Sequence, residues 1–78
     1  MKLYLEIFDY SNYDPKVEGA VVPMVRIEVD TEDIDELKSK AEQIASFLGF
    51  KEYKAQLHKC YNDEEEPKPC EIIEIPTS

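Results

Sequence analysis

Three stretches of this chain alternate between apolar and polar residues, and one stretch has the spacing of an amphipathic helix. The alternating stretches are residues 2–8, 24–29 and 50–61, which are typical of strands with one buried face, and residues 71–75 form a short final strand with Ile73 and Ile75 directed inward. The helical stretch lies between the second and third strands, at about residues 32–48. The order of elements is therefore β-β-α-β-β, which strongly restricts the folds open to the chain.

One helix can cover only one face of a four-stranded sheet, so this order predicts an α+β two-layer sandwich with one helix on one face. The 78 residues suit a single domain, 1–78. If the helix connects strands 2 and 3 simply, a strand order of 2-1-3-4 makes every neighbouring pair antiparallel, and we expect that order. The predicted core comprises Leu3, Leu5, Ile7, Val25, Ile27, Val29, Ile34, Leu37, Ile44, Leu48 and Leu57.

Both ends of the predicted helix carry capping residues. Asp30 or Thr31 supplies a side-chain oxygen for the exposed amides of the first turn. Gly49 stands where a left-handed C-terminal cap is favoured. Residues 9–23 contain several turn formers and read as a long loop between the first two strands.

The net charge of −9, from 9 Lys and Arg against 18 Asp and Glu, restricts the partners. It argues against direct binding of nucleic acid, which rests on Lys and Arg contacts to phosphates, and against anionic membrane surfaces. A protein partner with a basic surface fits this charge better. Glu6 and Asp9 interrupt the apolar N-terminal stretch, so we expect no signal peptide and place the protein in the cytoplasm.

Acidic residues gather in two segments, around the start of the helix and in the loop before the last strand. In the predicted topology both segments lie at one edge of the domain, where they form an acidic pole. Acidic first turns and solvated acidic loops are each ordinary, so only their convergence points to a partner. The pole consists of Asp30, Glu32, Asp33, Asp35, Glu36, Asp63, Glu64, Glu65 and Glu66.

The sheet face away from the helix, which we call the open face, carries residue types that are enriched at protein interfaces. Its candidate binding residues are Tyr4, Phe8, Met24, Arg26 and Ile72. Such exposed apolar residues also occur on proteins that bind nothing there. The mixed character of this face, and the two unpaired strand edges, predict a homodimer under some conditions.

His58, Cys60 and Cys70 are a weak candidate metal site on the same face, since the zinc tetrahedron would lack one ligand. We expect the two cysteines to be neighbours across the last hairpin, as free thiols or as a disulfide. No nucleophile, base and orienting group stand in a recognisable arrangement, so no catalytic residue and no cofactor is expected.

These patterns favour a small acidic protein-binding module that occupies a partner's surface. By analogy alone, it would suit an inhibitor carried by a phage or mobile element. Two alternatives remain open. One is a nucleic-acid mimic whose acidic pole fills a basic groove, and the other is a small metal- or redox-active protein using His58, Cys60 and Cys70.

Overall fold

Four strands and one helix make up the computed structural model, which describes residues 1–62, 65–66 and 68–77. The elements are β1 (Lys2–Asp9), β2 (Met24–Val29), α1 (Ile34–Leu48), β3 (Tyr53–Cys60) and β4 (Glu71–Ile75). All neighbouring strands pair antiparallel, in the order β2-β1-β3-β4. The predicted α+β two-layer fold and the predicted strand order are confirmed.

The central strand β1 sets the register of its two neighbours. Leu5 lies opposite Ile27 of β2 and Leu57 of β3, and Leu3 lies opposite Val29 and Lys59 in the same way. The C-terminal ends of β2 and β3 therefore lie at the same edge of the sheet. This common edge follows from α1, which returns the chain so that β2 and β3 run in one direction on either side of β1.

The helix begins later than the sequence pattern predicts. Asp33 is the N-cap, and its Oδ1 accepts a hydrogen bond from the Glu36 amide at 3.2 Å. The predicted caps, Asp30 and Thr31, are wrong. Thr31 Oγ1 instead accepts from the Asp33 amide at 3.1 Å, which forms a local turn before the helix and delays its start. Gly49 ends the helix at φ 77°, as expected for a left-handed cap.

The core lies between α1 and the sheet. Within the described residues, α1 packs on β1, β3 and β4 but not on β2. The buried side chains belong to Leu5, Ile7, Leu37, Ala41, Ala45, Ala55, Leu57 and Ile75.

Two predicted core positions are corrected by this placement of the helix. Val25 is half-buried and lies outside the core cluster, because α1 does not reach over β2. Leu48 is 44% exposed, because it occupies the last turn of the helix, at the margin of the core. The other predicted positions that are not fully buried, including Ile27 and Val29, are half-buried and pack against the core.

The long loop between β1 and β2 is anchored at both ends. The Asp9 amide donates to the Pro23 carbonyl at 2.9 Å, and the Tyr10 amide donates to the Glu52 carbonyl at 2.8 Å. Ser11 Oγ accepts from the amide of Lys51 at 2.8 Å, which ties the loop to the segment before β3. Residues 12–21 between these anchors are exposed.

Candidate functional site

The open face carries the even-numbered residues of all four strands. Glu6, in the middle of β1, lies opposite Arg26 of β2 and Gln56 of β3. Two residues along the same pair of strands, Tyr4 of β1 lies opposite His58 of β3. Because three strands contribute side chains at matching heights, polar groups that are far apart in the chain meet over the centre of this face.

Glu6 is almost completely buried although no helix covers it. The residue is 2% exposed, and it is the one buried polar or charged residue in the described part of the chain. Its Oε2 accepts from Arg26, with Nε at 2.8 Å and Nη2 at 2.6 Å. Its Oε1 accepts from Gln56 Nε2 at 2.7 Å and lies 3.2 Å from His58 Nδ1. Both carboxylate oxygens are therefore satisfied by side chains alone.

Opposing effects act on the pKa of Glu6. Burial is the largest and raises the pKa, because desolvation disfavours the charged form. The hydrogen bonds from Gln56, Arg26 and His58 together outweigh burial and leave the pKa below its ordinary value of 4.5. Glu6 is thus an ionised carboxylate at neutral pH, held in the middle of a sheet face.

Tyr4 joins the partners of Glu6 into one cluster, which we call the Glu6 cluster: Tyr4, Glu6, Arg26, Gln56 and His58. The guanidinium of Arg26 lies over the Tyr4 ring, 5.3 Å from its centroid. The rings of Tyr4 and His58 meet edge to face at 6.3 Å. The hydrogen bonds and ring contacts together hold Arg26, whose side chain is still 47% exposed, in one orientation.

His58 carries a polar atom that the cluster leaves unused. Its Nδ1 faces a carboxylate, which can only accept, so this nitrogen carries the proton. Its Nε2 is buried and has no hydrogen-bond partner. The ring is thus held as a donor to Glu6 rather than turned towards the cysteines.

A groove of about 580 Å³ continues the open face towards the C-terminal end of β4. The ammonium of Lys54 lies 5.2 Å from the centroid of the Tyr10 ring in this groove. Gln56 belongs to both the groove and the Glu6 cluster, so the two features adjoin. The lining consists of Phe8, Tyr10, Lys54, Ala55, Gln56, Glu74, Ile75, Pro76 and Thr77.

The five predicted open-face residues do not share one environment. Met24 and Ile72 lie on the two edge strands and are 44% and 49% exposed. Tyr4 and Phe8 are half-buried on the central strand. The predicted binding residues of this face omit Glu6 and Gln56, although both occupy even-numbered positions that face away from the helix, and so miss that they meet Arg26 there. One feature of the sequence could have indicated this contact: a single acidic residue in the middle of the central strand, with an arginine in a neighbouring strand.

The acidic pole is partly neutralised where it can be described. Glu32 Oε1 lies 2.6 Å from Nζ of Lys59, at the edge shared by the ends of β2 and β3. The hydrogen bond to Glu32 is the main reason that the pKa of Lys59 is raised. Glu65 and Glu66 are exposed and line a shallow groove with Tyr61 and Lys68. Two predicted members of the pole, Asp63 and Glu64, lie outside the described residues.

The weak metal candidate does not assemble. Among the described residues, no group of three or more His, Cys, Asp or Glu side chains could hold a metal ion. His58 directs Nδ1 at Glu6, while Cys60 and Cys70 are free thiols, the first half-buried and the second exposed.

Comparison of the chain with protein-family models, with curated proteins and with solved structures finds no match. In the described part of the chain, no helix is both long enough and apolar enough to cross a membrane.

Proposed function

We propose that this protein is a small acidic protein-binding module that acts by occupying a partner's surface with its open face. The observation that carries the proposal is the buried, ionised Glu6 on a face that no helix covers. Well-packed apolar residues in place of a buried ion pair are often as stable or more stable. The Glu6 cluster is therefore better explained by what it positions, namely the half-exposed Arg26 and the Tyr4 ring, than by stability.

The surroundings of the cluster support a protein partner. Met24 and Ile72 offer exposed apolar surface on either side of it, and methionine, arginine and aromatic residues are enriched at interface cores. A rigid arrangement loses less conformational entropy on binding than a mobile one. Exposed Glu28 and Glu74 on the two edge strands, with the net charge of −9, favour a partner with a basic surface.

The proposal includes the cytoplasm as the compartment, no catalysis, and no direct contact with nucleic acid or membrane. The analogy to inhibitors carried by phages or mobile elements belongs to it as well, since such proteins act by occupying a surface. A homodimer through the same face would compete with the partner, and sedimentation at high protein concentration detects it.

Capture of the partner from a lysate of the native host, with matched variants as bait, tests the proposal. Met24→Asp and Ile72→Asp each place a charge on the open face, whereas Phe47→Asp changes an apolar residue that is 88% exposed on α1. We expect a specific protein to be captured by the wild type and by Phe47→Asp, and to be lost with both open-face variants. Equal capture by all four baits would contradict binding through this face.

A nucleic-acid mimic is the second candidate, and one observation favours it. The C-terminal ends of β2 and β3 lie at a common edge, where Glu32, just before α1, pairs with Lys59 near the end of β3. A partner gripping this acidic edge would associate more slowly as salt increases. Substitution of Glu64, Glu65 and Glu66 by Gln should then flatten the dependence of the association rate on ionic strength. Equal slopes for the variant and the wild type would eliminate this candidate.

A further inference from the structure

The two cysteines stand opposite each other at the end of the last hairpin. Lys59 of β3 pairs with Glu71 of β4, so one step further along the ladder places Cys60 opposite Cys70. Directly opposite residues of an antiparallel pair have Cα atoms about 4.5–5.5 Å apart. A disulfide requires about 4.4–6.8 Å. The backbone can therefore accept a bridge here without a rearrangement.

The side chains have the same orientation. Both residues continue the even-numbered set that faces away from α1, and the Cys60 thiol lies close enough to the Cys70 thiol to raise its pKa. Cys70 is exposed, and Cys60 is half-buried behind it. An oxidant in solution thus has access to one sulfur, and the second sulfur lies within reach of the first.

We propose that Cys60 and Cys70 form a reversible disulfide in the folded protein, by exchange with a small-molecule disulfide such as oxidised glutathione. The thiolate of Cys70 attacks one glutathione sulfur, the bond between the two glutathione sulfurs breaks, and one glutathione leaves as a thiolate that takes up a proton. The thiolate of Cys60 then attacks the Cys70 sulfur of this mixed disulfide and expels the second glutathione in the same way. The protein loses two protons and two electrons, and oxidised glutathione takes them up to become two thiols.

The bridge would act on an edge strand that contributes little to the core. Only Ile75 of β4 is buried, and the other four residues of the strand are exposed. Pairing with β3 is therefore the main contact that keeps β4 in place. A covalent link at the loop end of this pair would restrict the separation of the strands and reduce the conformational freedom of the unfolded chain.

The environment of Cys70 makes the exchange slow at neutral pH. Burial against its neighbours, and then the hydrogen bond with Cys60, raise the pKa of the Cys70 thiol. Because only the thiolate attacks, we expect the rate to increase by more than about ten-fold between pH 7 and pH 9.

The test is incubation of the reduced, native protein with oxidised glutathione, followed by intact-mass analysis and thermal unfolding. We expect a product lighter than the reduced protein by two hydrogens, with a Tm higher by about 10–20 °C, and full reversal by dithiothreitol. Cys70→Ser should yield no bridge, and Cys60→Ser should stop at the mixed disulfide with Cys70. Each single variant controls for the stability effect of losing one thiol.

Three results would overturn the proposal. Glutathione carried on both cysteines, with no ring closure, would mean that the thiols do not meet. Disulfide-linked dimers as the main product would mean the same. A bridge that forms only in urea, or that lowers the Tm of the native protein, would show that the folded hairpin does not accept it.

Discussion

Replacement of Glu6 by leucine tests the physical account of the open face most directly. The change removes the acceptor of two buried or half-buried donors, Gln56 Nε2 and His58 Nδ1. An orphaned donor costs about 1–3 kcal/mol, and the lower half of that range applies because both side chains are near the surface. Loss of the ion pair with Arg26 adds little to this destabilisation, since water can hydrate the half-exposed guanidinium. We therefore expect Glu6→Leu to destabilise the fold by about 2–4 kcal/mol.

This loss would be a large share of the total stability. A chain of 78 residues has a free energy of unfolding of roughly 4–12 kcal/mol at the usual value per residue. Urea denaturation followed by circular dichroism measures the difference as a shift of the midpoint at constant slope.

The matched variant replaces Glu6, Gln56 and His58 by leucine together. It removes the orphaned donors with their acceptor, so stability should return to within about 1 kcal/mol of the wild type. Because this variant is folded but lacks the cluster, loss of partner capture would then report recognition alone. A change below about 0.5 kcal/mol for Glu6→Leu, or a triple variant as unstable as the single one, would refute the account of the cluster.

Three further expectations concern pH, the core and the helix cap. The pKa of Glu6 is lower in the folded protein than its ordinary value of 4.5, so the ionised carboxylate stabilises the fold above that pH. This stability is lost as the pH falls through the folded-state pKa, and Glu6→Gln should therefore lose less stability than the wild type during acid titration. Leu37→Ala should cost about 2–5 kcal/mol in urea denaturation because the side chain is fully buried, whereas Leu48→Ala should cost under about 1 kcal/mol; similar losses would contradict the observed position of the helix. Asp33→Ala should destabilise by about 0.5–2 kcal/mol as the loss of an N-cap, and Thr31→Ala should cost less; the reverse ranking would place the cap at the earlier residue.

The strands, the helix and their order are predictable from the sequence because they depend on local periodicity. The predicted strands at residues 24–29 and 71–75 have the same bounds as β2 and β4. The strand order also follows, since few connections satisfy one helix and an antiparallel sheet together.

The features that the sequence did not predict depend on how segments distant in the chain line up in the folded sheet. Glu6 looks like any outward-facing acid in its strand, and its burial requires Arg26 and Gln56 to lie at the same height on both neighbouring strands. The half-exposed state of Val25 depends on where α1 crosses the sheet, which no local pattern encodes. The start of the helix was wrong because Thr31 competes for the local amides.

The position of β1 between β2 and β3 has a consequence for how the protein folds. Glu6 and Gln56 are 50 positions apart in the chain, so the central pairing closes a long loop before it gains any contact. During synthesis, β1 can pair on one side with β2 as soon as the first hairpin is complete. Its other edge stays unpaired until β3 has left the ribosome. Until then, the nascent chain presents the edge of its future central strand to the surrounding solution, where other strands can pair with it.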